Sequence, residues 1–187
     1  LKKTLLPTAA LTVLLLAGCG TAAPELESAQ AKALPSEPLH EAAPPVAQNW
    51  RDEQIDFQRV TLECDLSDQR VYVKQDGQIV RTMVTSSGLD TLPDNSTPRG
   101  EFQIEPERGE WFFSPAYQEG AMYWVSFQNH GEFLFHSVVM DQNQHILNFE
   151  AQKLGSKASH GCFRLPLADA KWIYDQIPVG TKVSIHE

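Results

Sequence analysis

The stretch Ser159-His160-Gly161-Cys162 brings a thiol, an imidazole and a glycine together, the residue types of this chain best suited to covalent chemistry. A second imidazole, His136, closes the apolar run Phe133-Leu134-Phe135 upstream. Four readings of Cys162 compete. As a nucleophile it attacks as thiolate, which requires a nearby base or a positive field. His136, at a strand end, is placed to serve as that base, and Gly161 allows a tight turn that a substrate carbonyl can approach. Successive N–H groups in such a turn can stabilise an oxyanion. A disulfide to Cys64 is open to an exported protein, although Cys64 falls on the inward side of a strand pattern, where a lone buried thiol is common. Zinc would find ligand types in His136, His160 and Cys162, but no paired Cys-x-x-Cys or His-x-x-x-His spacing. A purely structural cysteine would need neither Gly161 nor the flanking histidines. The nucleophile reading accounts for the most residues, yet many domains hold both a strand histidine and a loop cysteine.

The elements that must position these groups are mostly strands. Val60, Leu62 and Cys64 alternate with polar neighbours in 59–66, the pattern of a half-buried strand. A strand over 69–75, the turn Asp76-Gly77 and a strand over 78–87 form a hairpin signal. Further strands are expected over 100–106, 122–129, 132–138 and 181–185. One helix is expected over 166–178, with Leu167, Ala170, Ile173, Tyr174 and Ile177 on one face and Pro178 as its stop. The domain is therefore mainly β, with a helix directly after the cysteine loop. His130 and His145 sit in polar, turn-like stretches and read as surface residues. Trp111, Phe112, Phe113, Tyr123 and Trp124 read mostly as core, with one or two of them open to line the cleft, though the sequence does not say which.

The ends set the organisation. Residues 1–18 read as a signal peptide: Lys2 and Lys3 precede an apolar stretch, Leu5 to Leu16, that is short for a membrane span. The segment closes on Leu16-Ala17-Gly18-Cys19, which resembles a bacterial lipobox and implies that Cys19 carries lipid and anchors the protein outside the cytoplasm. Residues 19–57, rich in Ala, Pro and Glu, have no apolar period able to offset chain entropy and read as a flexible tether. Residues 58–187 are one domain large enough for its own core. With 15 Lys and Arg against 24 Asp and Glu, a net charge of −9 and no basic cluster, the chain lacks the basic face that nucleic acid requires.

Taken together, His136-Ser137 followed after the stretch 138–158 by Ser159-His160-Gly161-Cys162-Phe163-Arg164 resembles the signature of the YkuD-type L,D-transpeptidases. Residues 65–80 are similar to that family's opening hairpin, 97–102 (Thr-Pro-Arg-Gly-Glu-Phe) to its Thr-Pro-x-Gly-x-Phe element, and 169–185 to its closing helix and strand. Two departures stand out: the stretch 138–158 is longer than in many members, implying an extended loop beside the site, and Phe163 stands where an aliphatic residue is more usual.

The resemblance implies a β-sandwich-type fold and peptidoglycan crosslinking. Cys162 would attack the amide before the terminal D-Ala of a stem peptide and form a thioester, which an amine of a neighbouring stem resolves. His136 would act as base and then acid, and Ser137 would hold the imidazole through its backbone carbonyl. His160 and Gly161 would line the oxyanion turn. Ser159 and Arg164 would either brace the loop, Arg164 by reaching the turn's carbonyls, or bind a stem-peptide carboxylate. No metal or other cofactor is implied. An L,D-carboxypeptidase would use the same residues with water as acceptor. A silent wall-binding lipoprotein would have lost Cys162, His136 or Gly161, and all three are present.

Overall fold

The computed structural model describes residues 51–187, so the signal segment, Cys19 and the tether as far as residue 50 lie outside the described residues. Among the described residues, nine strands form two sheets. β1 (Val60–Asp65), β2 (Arg70–Gln75), β3 (Gln78–Val84), β4 (Gly100–Gln103) and β9 (Lys182–His186) make a five-stranded sheet in the order β3-β2-β1-β9-β4. β5 (Arg108–Ser114), β6 (Glu119–Gln128), β7 (Phe133–Ser137) and β8 (Phe163–Leu165) make a four-stranded sheet in that order. Two helices complete the fold: the short α1 (Asn148–Ala151) and α2 (Leu167–Gln176), which lies against β6, β7 and β8.

Local chemistry explains the first sheet. β1 alternates buried and half-buried positions along its length, as its apolar period of two requires. β2 and β3 are joined through Asp76 and Gly77, both at positive φ, the backbone that a two-residue hairpin favours. Cys64 is fully buried on β1 opposite Val71 and beside Ile185, and burial pushes its thiol well above the ordinary range. Cys64 and Cys162 are both free, so the disulfide reading is set aside.

Three elements were not legible. β5 is half-buried along nearly all its length and shows no alternation. β8 is only three residues long, between the cysteine and Pro166. α1 lies inside the long loop. The expected helix face also changes. Trp172 is buried, while Leu167 and Tyr174 are half-buried. Trp172 is covered by a segment that composition had assigned to the tether: Phe57 meets its ring edge-on at 5.7 Å, and Asp52 Oδ1 accepts from its Nε1 at 3.0 Å. Ile55 joins the core in the same segment.

An aromatic stack ties the two sheets together. Phe135 of β7 lies parallel to Phe163 of β8 with ring centroids 5.0 Å apart. Phe127 of β6 packs on both, and Phe102 of β4 meets Phe127 at 5.8 Å. The unusual Phe163 is thus a core ring, and such ring pairs add about 0.5–1.5 kcal/mol beyond the area they bury.

Candidate active site

β7 and β8 run parallel, with Phe135 opposite Phe163 and His136 opposite Arg164. This register sets His136 near the end of β7 and Cys162 immediately before β8, on the wall of one cleft of about 470 Å³. His136 is almost fully buried, with Phe112 edge-on to its ring at 5.6 Å. Its Nδ1 lies 2.6 Å from the Ser137 carbonyl oxygen. A carbonyl only accepts, so Nδ1 carries the hydrogen and Nε2 is left as the basic atom. The Ser137 hydroxyl is engaged elsewhere, donating to the Val138 carbonyl and accepting from the Met122 N–H.

Both reactive groups are held neutral at rest. Burial lowers the His136 pKa to about 4; the Ser137 carbonyl works against that shift and the positive Arg164 adds to it. Burial likewise raises the Cys162 thiol to about 11, with the backbone at Leu134 and the charge of Arg164 opposing and Glu132 reinforcing the shift. The Cys162 Sγ donates to the Glu132 carbonyl at 3.6 Å. Burial thus favours a thiol and a neutral imidazole over the thiolate–imidazolium pair.

The turn before Cys162 is stapled from inside. Ser159 Oγ donates to the Cys162 carbonyl at 2.6 Å and accepts from the Gly161 N–H at 3.0 Å. Thr97 Oγ1 donates to the Gly161 carbonyl at 2.8 Å and accepts from the Gly88 N–H at 2.8 Å. Gly161 has φ +128°, and a Cβ there would stand 2.8 Å from the Phe133 ring and 3.1 Å from the Ser96 carbonyl. Only glycine closes this turn without strain.

Two expectations change. The Gly161 N–H is engaged by Ser159 rather than offered to the cleft. Arg164 does not reach the turn's carbonyls: its guanidinium donates to Glu150 at 2.5 Å and to Glu119 at 3.0 Å. Of the five aromatics, Phe112 and Trp124 are the ones that line the cleft. His160 is exposed at the rim and stacks on Tyr117 with centroids 4.4 Å apart. His130 and His145 are exposed. His136, His160 and Cys162 do not converge as metal ligands; among the described residues, ligand atoms converge at Glu105, Glu107 and His130. Thr97, Glu119, Glu132 and Glu150 were not singled out from sequence. Thr97 lies in the Thr-Pro-Arg-Gly-Glu-Phe element, and a buried arginine demands carboxylate partners, but no local spacing says which.

A profile of the YkuD family, described as the L,D-transpeptidase catalytic domain, matches residues 59–185. The chain is 55% identical over 131 residues to YciB of Bacillus subtilis (strain 168), itself a proposed L,D-transpeptidase, covering 70% of this chain and 68% of that protein. Among solved structures, an L,D-transpeptidase from Mycobacterium smegmatis has a TM-score of 0.56 at 22% identity, covering 69% of this chain and 59% of that one. L,D-transpeptidase 3 from Mycobacterium tuberculosis, in complex with a faropenem-derived adduct, has a TM-score of 0.53 at 22% identity, covering 69% and 60%. A fused Zn-dependent amidase/peptidase/peptidoglycan-binding protein from Clostridium acetobutylicum ATCC 824 has a TM-score of 0.51 at 30% identity, covering 68% and 52%. The chain thus spans between about half and three-fifths of these solved chains, and the two mycobacterial likenesses speak for the fold.

Proposed function

The chain belongs to the YkuD family of L,D-transpeptidase catalytic domains, and from that premise we propose that it crosslinks peptidoglycan stem peptides through a thioester on Cys162. The carrying observation is the His136 ring: with Nδ1–H held by the Ser137 carbonyl, Nε2 is free to take a proton in the cleft that Cys162 lines. In the acylation step Sγ attacks the amide carbonyl before the terminal D-Ala while its proton passes to Nε2. The imidazolium formed is stabilised by the Ser137 carbonyl, then gives the proton to the departing D-Ala nitrogen. A thioester and free D-Ala result. In the second step an acceptor amine attacks the thioester, its proton passes to His136 and on to the sulfur, and the Cys162 thiol is restored. Because Ser159 engages the Gly161 N–H, we assign the oxyanion to the backbone N–H groups of His160 and Cys162. Lipid on Cys19 would hold the domain at the outer face of the cell membrane, where stem peptides lie. Transfer of Cys19→Ala protein out of the membrane fraction is the check on that anchor, and unchanged fractionation refutes it.

The test is incubation with a tetrapeptide donor and two acceptor amines, followed by mass spectrometry of protein and products. A Cys162 acyl adduct with crosslinked dimer is expected, and neither should form with Cys162→Ala. Released tripeptide without dimer would instead establish a carboxypeptidase. An adduct that survives Cys162→Ala would overturn the site assignment.

A further inference from the structure

The long loop 138–158 reaches back into the site with a charge. It leaves β7, forms α1 and returns to the cysteine turn, tied to the neighbouring segment where the Gly155 N–H donates to the Thr85 carbonyl and Ser86 Oγ to the Lys153 carbonyl. From α1, Glu150 donates no hydrogen and accepts two: Oε2 takes Arg164 Nη1 at 2.5 Å, and Oε1 takes Lys153 Nζ at 2.6 Å. The Glu150 and Arg164 side chains are only 9% and 6% exposed, so this ion pair is shielded from solvent. Glu119 of β6 takes the second guanidinium nitrogen at 3.0 Å and lines the cleft.

Arg164 stands directly opposite His136 in the parallel β7–β8 register, and paired residues on adjacent strands share a face of the sheet. Uncompensated, its positive charge would oppose every step in which His136 becomes imidazolium. We propose that Glu150, assisted by Glu119, is a positioning residue of this site: the two carboxylates pin and neutralise Arg164, and through it set the position and the charge of the wall that carries His136 and Cys162. The loop's extra length then has a purpose, because it delivers the buried one of the two counter-charges. The other charged or titratable groups around this wall are Lys153 on the α1 side, Glu132 from the β6–β7 turn, and Asp94, Tyr117 and His160 in the cleft lining.

The proposal rests on the cysteine–histidine reading of the site, but its readout needs no turnover. Iodoacetamide alkylation, run in a His136→Asn background so that attack waits for thiolate and read by mass at the Cys162 peptide from pH 7 to beyond pH 10, reports the field at that sulfur apart from Cys19; the fully buried Cys64 stays silent in the folded protein. Glu150→Gln keeps the shape and removes one negative charge. Its alkylation profile should move to lower pH by on the order of one unit, so that labelling on the sloping limb is about tenfold faster at a given pH. Glu150→Asp keeps the charge and should stay near the profile of the background alone. Glu119→Gln should shift in the same direction by less, because its side chain is 22% exposed. If Glu150→Gln fails to fold, Glu119→Gln carries the test alone. A profile that is unshifted or moves to higher pH in a folded variant, or an Asp variant displaced as far as the Gln variant, overturns the proposal. Wild type that forms no acyl adduct from a tetrapeptide sinks the transpeptidase reading and leaves this measurement standing.

Discussion

Replacing His136 by Ala should convert acylation from a reaction nearly independent of pH into one that climbs steeply with it. In the wild type, Nε2 is unprotonated down to about pH 4, and the thiol proton leaves during attack. The rate should therefore be flat from pH 6 to pH 9. Without the imidazole, attack must wait for free thiolate. A thiol at about 11 is ionised to roughly one part in ten thousand at pH 7, whereas an ordinary thiol near 8.5 would be ionised to about three parts in a hundred. The variant should thus fall by the upper end of the ~100- to 10,000-fold range that a general base contributes, and should regain about tenfold per pH unit without levelling at pH 9. The assay is intact mass against time with a carbapenem-type β-lactam, whose strained ring acylates a thiol much as a peptide would. His136→Asn, run beside His136→Ala, separates loss of the base from water entering the space the ring leaves. Two results would refute the reasoning: a variant rate equal to wild type at neutral pH, or levelling near pH 8.5 in both variants, which would mean that burial does not hold the thiol neutral.

Two more predictions follow from the same geometry. Gly161→Ala puts a Cβ 2.8 Å from the Phe133 ring at φ +128° and should cost about 1–3 kcal/mol in chemical denaturation, with adduct formation lost in protein that remains folded; full activity in the variant would show that the turn has room to spare. For acid stability, the unfolded chain protonates His136 near 6.5 while the fold refuses that proton until about 4, so between these values the unfolded state binds more protons. Stability should fall as pH drops through this window by up to about 3 kcal/mol and flatten, for this group, below it. Comparing denaturation midpoints of wild type and His136→Asn from pH 7 to pH 3.5 checks the sign, and parallel curves would refute it.

The strands with one face toward the core were legible because their side chains alternate, as in β1. β5 escaped because half-burial along its length erases the period, and β8 because three residues carry none. At the site, the residues that would react could be read from type and spacing, whereas those that hold them in place could not. Glu119 and Glu150 reach Arg164 from 45 and 14 positions away in the chain, and Thr97 reaches Gly161 from 64. Such partners are set by how two sheets and a loop close on each other, and no local pattern encodes that closure.

One electrostatic feature of the site, the pressure on His136 to stay neutral, follows from the run that carries it. His136 ends the run Phe133-Leu134-Phe135, and a histidine carried inward by such a strand loses its water. Desolvation disfavours imidazolium, so the apolar residues that identify β7 also push His136 toward its neutral form. In the proposed acylation, attack creates two charges together on the cleft wall. On the proposed mechanism the carboxylates on Arg164 offset a positive field that disfavours imidazolium, a role the alkylation profile of Glu150→Gln tests.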